Sequence, residues 1–198
     1  MSRANLLDRR AVVAALLAER GDLLVVAGLG APSWDVTAAG DTPLNFPLWG
    51  AMGSAAMIGL GLALAQPKRA VLVITGDGEM LMGLGSLATI GVQRPANLTV
   101  AVLDNESYGE TGMQSTHTAH GVDLAAIAAA CGFKTAELVR EMAGVDALRR
   151  RLARRQGPLF AQVKIAADSL PLVMPPREGG ILKNRFRAAL LGPDAALA

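Results

Sequence analysis

TGDGEMLMGLGSLATIGVQRPANLTVAVLDNESYGETG, residues 75–112, is the stretch that decides how the chain is read. An apolar run at 70–74 stops abruptly at Gly76-Asp77-Gly78, and a second, at 98–103, stops at Asp104-Asn105. Short apolar runs bounded by glycine and polar residues read as buried strands. If the two strands are parallel neighbours, they deliver Asp77 and Asn105 to the crevice outside their carboxyl ends, where open α/β sheets bind ligands. Two hard oxygen ligands at one place suit magnesium. The glycines flanking Asp77 let the backbone approach an anion, and a helix opening near Glu79 points its N-terminus at the same spot. The set fits a diphosphate carrying its metal.

Outward from this stretch, strands and helices alternate. Leu6, Leu7, Val12, Val13, Leu16 and Leu17 recur at a helical period over 5–20, and Gly21 stops the helix. A short strand at 23–27 runs into Gly28-Leu29-Gly30, followed by a loop of about twenty residues containing Pro32, Pro43 and Pro47. A helix of small residues is predicted over 54–65, a strand over 70–74, one helix over 79–92 and a strand over 98–103. Asp123 reads as the N-cap of a helix over 124–131. A strand at 133–139, a helix with a basic last turn at 143–155 and a final strand at 159–165 complete the pattern. Residues 1–166 are therefore expected to form one α/β domain, a doubly wound, mostly parallel sheet with helices on both faces. Residues 167–198, punctuated by Pro and Gly, are expected to pack as an irregular tail with a short terminal helix.

The 198 residues suffice for one domain with a sizeable core. With 52% hydrophobic residues, few aromatics and 22 glycines, the interior is built from small side chains, and the apolar excess leaves surface for self-association or a partner subunit. The net charge of +2, with Lys and Arg clustered late in the chain, does not describe a nucleic-acid binder. A lone cysteine, Cys131, allows no internal disulfide and matches a reducing, cytoplasmic setting. Asp8, Arg9, Arg10, Glu19 and Arg20 interrupt any signal-like apolar run near the start. The most membrane-like piece, 52–65, is shorter than the roughly 20 residues that span a bilayer and reads as a buried helix.

The GDG triplet with an Asn 28 residues after its Asp, and an apolar strand just before that Asn, resembles the cofactor-anchoring signature of thiamine diphosphate enzymes. The wording LMGLGSLATIG and LDNESYGETGMQ is similar to sulfopyruvate and phosphonopyruvate decarboxylases, over roughly 23–165. The resemblance implies thiamine diphosphate and Mg2+ as cofactors, with Asp77, Asn105 and the backbone carbonyl of Ser107 as metal ligands. It implies that Met52, 25 residues before Asp77, wedges the cofactor into a bent shape, and that the Gly50 carbonyl and the Met52 N–H bond its pyrimidine. Gly76, Gly78, Tyr108, Gly109, Glu110 and Thr111 would enclose the diphosphate, with Gly30 and Ser33 in a nearby turn. Read without the family, Met52 is equally a core residue at a helix start.

Glu79 stands where such decarboxylases often have a small residue. Its backbone N–H can serve the diphosphate, while its side chain reads as an exposed acid in the first turn of a helix. His117 and His120 are candidate proton donors or carboxylate binders, or solvated loop residues; their spacing alone does not make a zinc site. The Gly28-Leu29-Gly30 turn lacks the third glycine of a dinucleotide fingerprint, since residue 33 is Ser.

By the resemblance, the Glu that activates the cofactor comes from a pyrimidine-binding domain for which this chain has no room. A separate pyrimidine-domain subunit is therefore the expected partner, and an anionic 2-oxoacid such as sulfopyruvate or phosphonopyruvate the expected substrate. Alternatives are a subunit of another thiamine diphosphate enzyme, of the 2-oxoacid oxidoreductase or acetolactate synthase kind, or a non-catalytic cofactor-binding module. A single Cys argues against the iron-sulfur-rich oxidoreductases.

Overall fold

The computed structural model describes residues 6–196. It opens with α1 (Arg9–Leu17), capped by Asp8, whose carboxylate accepts from the Ala11 N–H. There follow β1 (Leu24–Ala27), α2 (Ala31–Ala38), β2 (Asn45–Pro47), α3 (Ala55–Ala65), β3 (Val71–Gly76), α4 (Asp77–Met82), α5 (Ser86–Gln93) and β4 (Leu98–Asp104). The second half holds a two-stranded antiparallel ribbon, β5 (Ser107–Tyr108) with β6 (Gln114–Ser115), and a 3-10 turn at His117–His120. It continues with α6 (Leu124–Ala130), β7 (Thr135–Val139), α7 (Met142–Ala153), β8 (Leu159–Lys164) and α8 (Gly179–Leu191). The expected start of the first helix at Asn5 lies outside the described residues.

Six strands form one sheet in the order β2-β1-β3-β4-β8-β7, and every pairing in it is parallel. Both faces are covered, so the strands read as continuous apolar runs whose alternate residues enter two separate cores. Val25, Leu72, Ala101 and Val163 face α1 and α7 on one side. Val26, Val73, Val100 and Phe160 face α3, α5 and α6 on the other. The chain leaves β1 toward β2 on one side and returns to β3 on the other, so the switch point of the sheet lies between the carboxyl ends of β1 and β3. That position is where a doubly wound sheet opens a crevice.

Two expectations need correcting. The segment after Gly30 is not a loop of about twenty residues: α2 and β2 occupy it, with Pro32 at the start of the helix, where its missing N–H costs nothing. The helix expected over 79–92 is two helices, because the chain turns at Gly83–Gly85 where Gly83 meets the backbone of Gly53. The tail runs irregularly over 166–178 and then forms a helix. α8 runs for 13 residues, packs Phe186 against Phe46 at 5.2 Å between ring centroids, and pairs Arg185 with Asp41 at 2.6 and 2.8 Å. No described helix is long and apolar enough to cross a membrane.

Candidate functional site

Register explains how the site forms. Gly76 pairs with Leu103, so the next residues, Asp77 and Asp104, leave the sheet side by side with Asn105 one step further. Asp77, Asn105, Ser107, Tyr108, Gly109, Glu110 and Thr111 all line one cleft of about 670 Å3, together with Met52, Gly76, Gly78, Glu79 and Trp34. The cleft stands at the carboxyl ends of β1 and β3, and its far wall is the irregular segment Ala167–Leu172.

Asp77 is 1% exposed. Its Oδ2 accepts from the hydroxyls of Thr116 at 2.5 Å and Thr118 at 3.1 Å. Burial, with the neighbouring charge of Asp104, pushes its pKa from 3.8 up to about 6 against the pull of those hydroxyls. The Thr118 hydroxyl shares its one hydrogen between Asp77 and Asp104, the latter at 2.8 Å, and Asp104 accepts from Gln162 at 2.6 Å and Lys164 at 2.8 Å. Lys164 reaches Glu106 as well, at 2.5 Å. Burial alone would lower the Lys164 pKa, but its bonds to the two carboxylates raise it. The cation thus balances Asp104 and Glu106, while Asp77 has hydroxyls for partners. A buried carboxylate in that state, with Asn105 and Ser107 lining the same cleft, offers oxygen donors of the hard kind that fits Mg2+. The Asn105 Oδ1 accepts from the Ser107 N–H at 3.0 Å, an Asx turn that folds the loop back over the cleft.

The other candidates divide by where their side chains go. Met52 is 39% exposed and lines the cleft from a turn with positive φ at Ala51 and Gly53. Gly50 precedes that turn and has open space where a Cβ would stand. Gly76 is open in the same way, but Gly78 is not: a Cβ there would lie 2.4 Å from Cε1 of Tyr108, so this glycine makes room for a tyrosine ring. Glu110 reaches across to Gly30, where its carboxylate lies 2.4 Å from the place a Cβ would take. The Ser33 hydroxyl turns inward and donates to the Gly28 carbonyl at 2.7 Å. His117 and His120 are exposed on their 3-10 turn and do not line the cleft.

Glu79 reverses its sequence reading. It is 4% exposed at the edge of the cleft, and burial raises its pKa. α4 starts at Asp77, two residues earlier than expected, and its third residue faces α3 rather than solvent.

Several contributors were not picked out from the sequence. Thr116, Thr118, Gln162 and Lys164 form the buried network; a Gln and a Lys within the apolar strand LFAQVK were the available signal, since such residues in a doubly covered strand need partners. Arg9 and Trp34 line the cleft without a motif to mark them. Arg9 is committed to Asp35 at 2.7 Å, and burial raises the Asp35 pKa in spite of Arg9 and Arg10.

Residues 33–163 match the family described as "Thiamine pyrophosphate enzyme, C-terminal TPP binding domain". The chain is 42% identical over 193 residues to a phosphonopyruvate decarboxylase of Streptomyces viridochromogenes, covering 96% of this chain and 48% of that protein. It is 42% identical over 144 residues to a sulfopyruvate decarboxylase subunit beta of Methanothermobacter thermautotrophicus, covering 73% and 74%. It therefore spans about half of the first relative and about three quarters of the second. A benzoylformate decarboxylase from Polynucleobacter necessarius superposes with a TM-score of 0.65 at 21% identity, over 84% of this chain and 34% of that one, and shows the shared fold.

Proposed function

Since the chain belongs to the thiamine pyrophosphate enzymes, through their C-terminal cofactor-binding domain, we propose that it is the diphosphate- and magnesium-binding subunit of a 2-oxoacid decarboxylase of the sulfopyruvate or phosphonopyruvate type. The observation that carries this reading is the convergence of Asp77, Asn105 and Ser107 on one cleft at the switch point of the sheet. Bound thiamine diphosphate supplies a nucleophilic carbon and an electron sink for loss of carbon dioxide from a 2-oxo acid. Asp77, Asn105 and the Ser107 carbonyl would hold Mg2+, and the open backbone at Gly76 would admit the diphosphate. Met52 would prop the cofactor from the opposite wall, with Gly50 and the Met52 N–H holding its pyrimidine. The Asx turn at Asn105 and the ribbon that follows would keep bulk water from the diphosphate.

A separate subunit would supply the pyrimidine-binding domain and the Glu that activates the cofactor. Exposed apolar side chains support such an interface: Met57 and Leu64 on α3, Met82 at the end of α4 and Val92 on α5. The substrate's second anionic group would also meet the partner, because among the described residues that line the cleft the cation is Arg9, and Asp35 already holds it.

The test is carbon dioxide release from sulfopyruvate and phosphonopyruvate by this chain with Mg2+ and thiamine diphosphate, alone and co-expressed with a pyrimidine-domain partner. Turnover that requires the partner is the expected result. Cofactor binding with no turnover under any partner would favour a non-catalytic binding module.

A further inference from the structure

Glu79 joins segments that the chain keeps far apart. Its Oε2 accepts from the Thr75 hydroxyl at 2.8 Å and its Oε1 from the Ala55 N–H at 3.3 Å. Gly28, next to Leu29 in the turn after β1, packs against the same carboxylate, whereas Gly53 and Ala55 flank the start of α3 just past Met52. Ala55 is the first residue of that helix, and its N–H is one of the donors a helix leaves without an internal partner. Ser54 makes no side-chain cap there; its hydroxyl donates instead to the Ala51 carbonyl at 2.5 Å. The carboxylate therefore caps α3 from another element.

Two further observations show that the neighbourhood is built around this side chain. A Cβ on Gly28 would lie 1.9 Å from Glu79 Oε2, so residue 28 must be glycine for the carboxylate to be there. The Met52 turn holds Ala51 at φ 59°, a left-handed conformation costly for a residue with a Cβ, before Gly53 at φ 94°, and such backbone persists only where its surroundings hold it. Those surroundings are α4 and its end: Glu79 on one side and Gly83, whose backbone meets that of Gly53, on the other.

We infer that Glu79 is a positioning residue whose carboxylate ties the Leu29 turn to the Met52 turn, so that the two walls of the cleft keep a fixed spacing. The inference rests on the proposed function only in its consequence: the fixed spacing sets how tightly thiamine diphosphate is gripped between Met52 and the Asp77 end of the cleft. Its carboxylate acts through the backbone of both turns.

Hydrogen exchange on the cofactor-free chain tests the tie directly. In Glu79→Ala, the amides of Gly28 in one turn and Ala55 past the other should exchange at least tenfold faster together, while those of Val73 and Val100 in the sheet stay at wild-type rates. Titration with thiamine diphosphate and MgCl2, followed by fluorescence of Trp34 beside the cleft and repeated with the co-expressed partner, should show affinity weakened at least tenfold. Glu79→Gln, which keeps one acceptor oxygen, should fall between wild type and alanine in both readouts, and it decides the matter if the alanine variant does not fold. Ile90→Val, a buried change on α5 away from the cleft, is the control that lowers stability and leaves both readouts unchanged. Unchanged exchange, a response confined to one turn, or wild-type affinity in the variants would overturn the inference. A wild-type protein that binds no thiamine diphosphate in either format would overturn the proposed function instead, and the exchange result alone would then decide the tie.

Discussion

Asp77 has an unusual position for a carboxylate: two hydroxyls solvate it, a second acid stands nearby, and the local lysine is engaged with Asp104 and Glu106. Its pKa of about 6 lies above the ordinary 3.8, so the folded chain holds this proton more tightly than the unfolded chain does. Between about pH 4 and 6 folding therefore takes up a proton, and stability gained from that uptake is lost as pH rises through the folded pKa. Without cofactor, Asp77→Asn should raise the thermal midpoint at pH 7 by a few degrees, at about 2–4 °C per kcal/mol for a chain of this size. The variant should also flatten the change in midpoint between pH 5 and 7, and it should lose the stabilisation that Mg2+ with thiamine diphosphate gives the wild type. Scans at both pH values with and without the cofactor check this; a midpoint that falls at pH 7 would contradict it.

At the level of elements, the six-residue α4 is the short link between the two sides of the cleft. Its first residue is Asp77, its third is Glu79, and the glycine after it packs on Gly53. The break at Gly83–Gly85 is thus a packing requirement rather than a weak spot in a longer helix. A Cβ at Gly83 would lie 2.0 Å from the Gly53 carbonyl oxygen, a backbone atom that cannot swing away, whereas a Cβ at Gly85 meets nothing within 4 Å. Gly83→Ala should cost about 2 kcal/mol or more, in the range of overpacked cores, while Gly85→Ala should be neutral or slightly stabilising. Denaturant titrations of the two variants measure the difference, and equal midpoints would show that the Gly53–Gly83 contact does not hold the Met52 turn.

For the whole molecule, the sheet order puts the cleft at one end of a fully parallel sheet, and the C-terminal helix closes the β2 edge of that sheet on one face. Phe186 buries its ring against Phe46, so α8 is part of the fold's apolar core. Phe186→Ala should destabilise the chain by about 3 kcal/mol without altering the Asp77 end of the cleft, which urea denaturation and cofactor titration would separate. Loss of cofactor binding in step with stability would mean that α8 supports the site directly. The exposed apolar side chains on α3, α4 and α5 belong to the same scale, for they are the surface on which the proposed partner would complete the site.

The alternation of apolar runs and turn residues determined the fold class and the neighbouring parallel strands whose ends bring Asp77 and Asn105 to one cleft, because strand period and chain direction are local properties that the residues themselves encode. GDG and the Asn 28 residues later were legible for the same reason. Tertiary structure alone decided the rest. Pro32 began a helix inside what composition described as a loop, and Gly83 ended one because another backbone passes there. Glu79 turned inward where the Ala55 N–H and the Thr75 hydroxyl, from two other elements, supply its partners, and Thr118 came to bridge Asp77 and Asp104 across 41 and 14 residues of chain. Burial of a polar group depends on partners brought from elsewhere in the chain, and a linear pattern carries no record of which partners those will be.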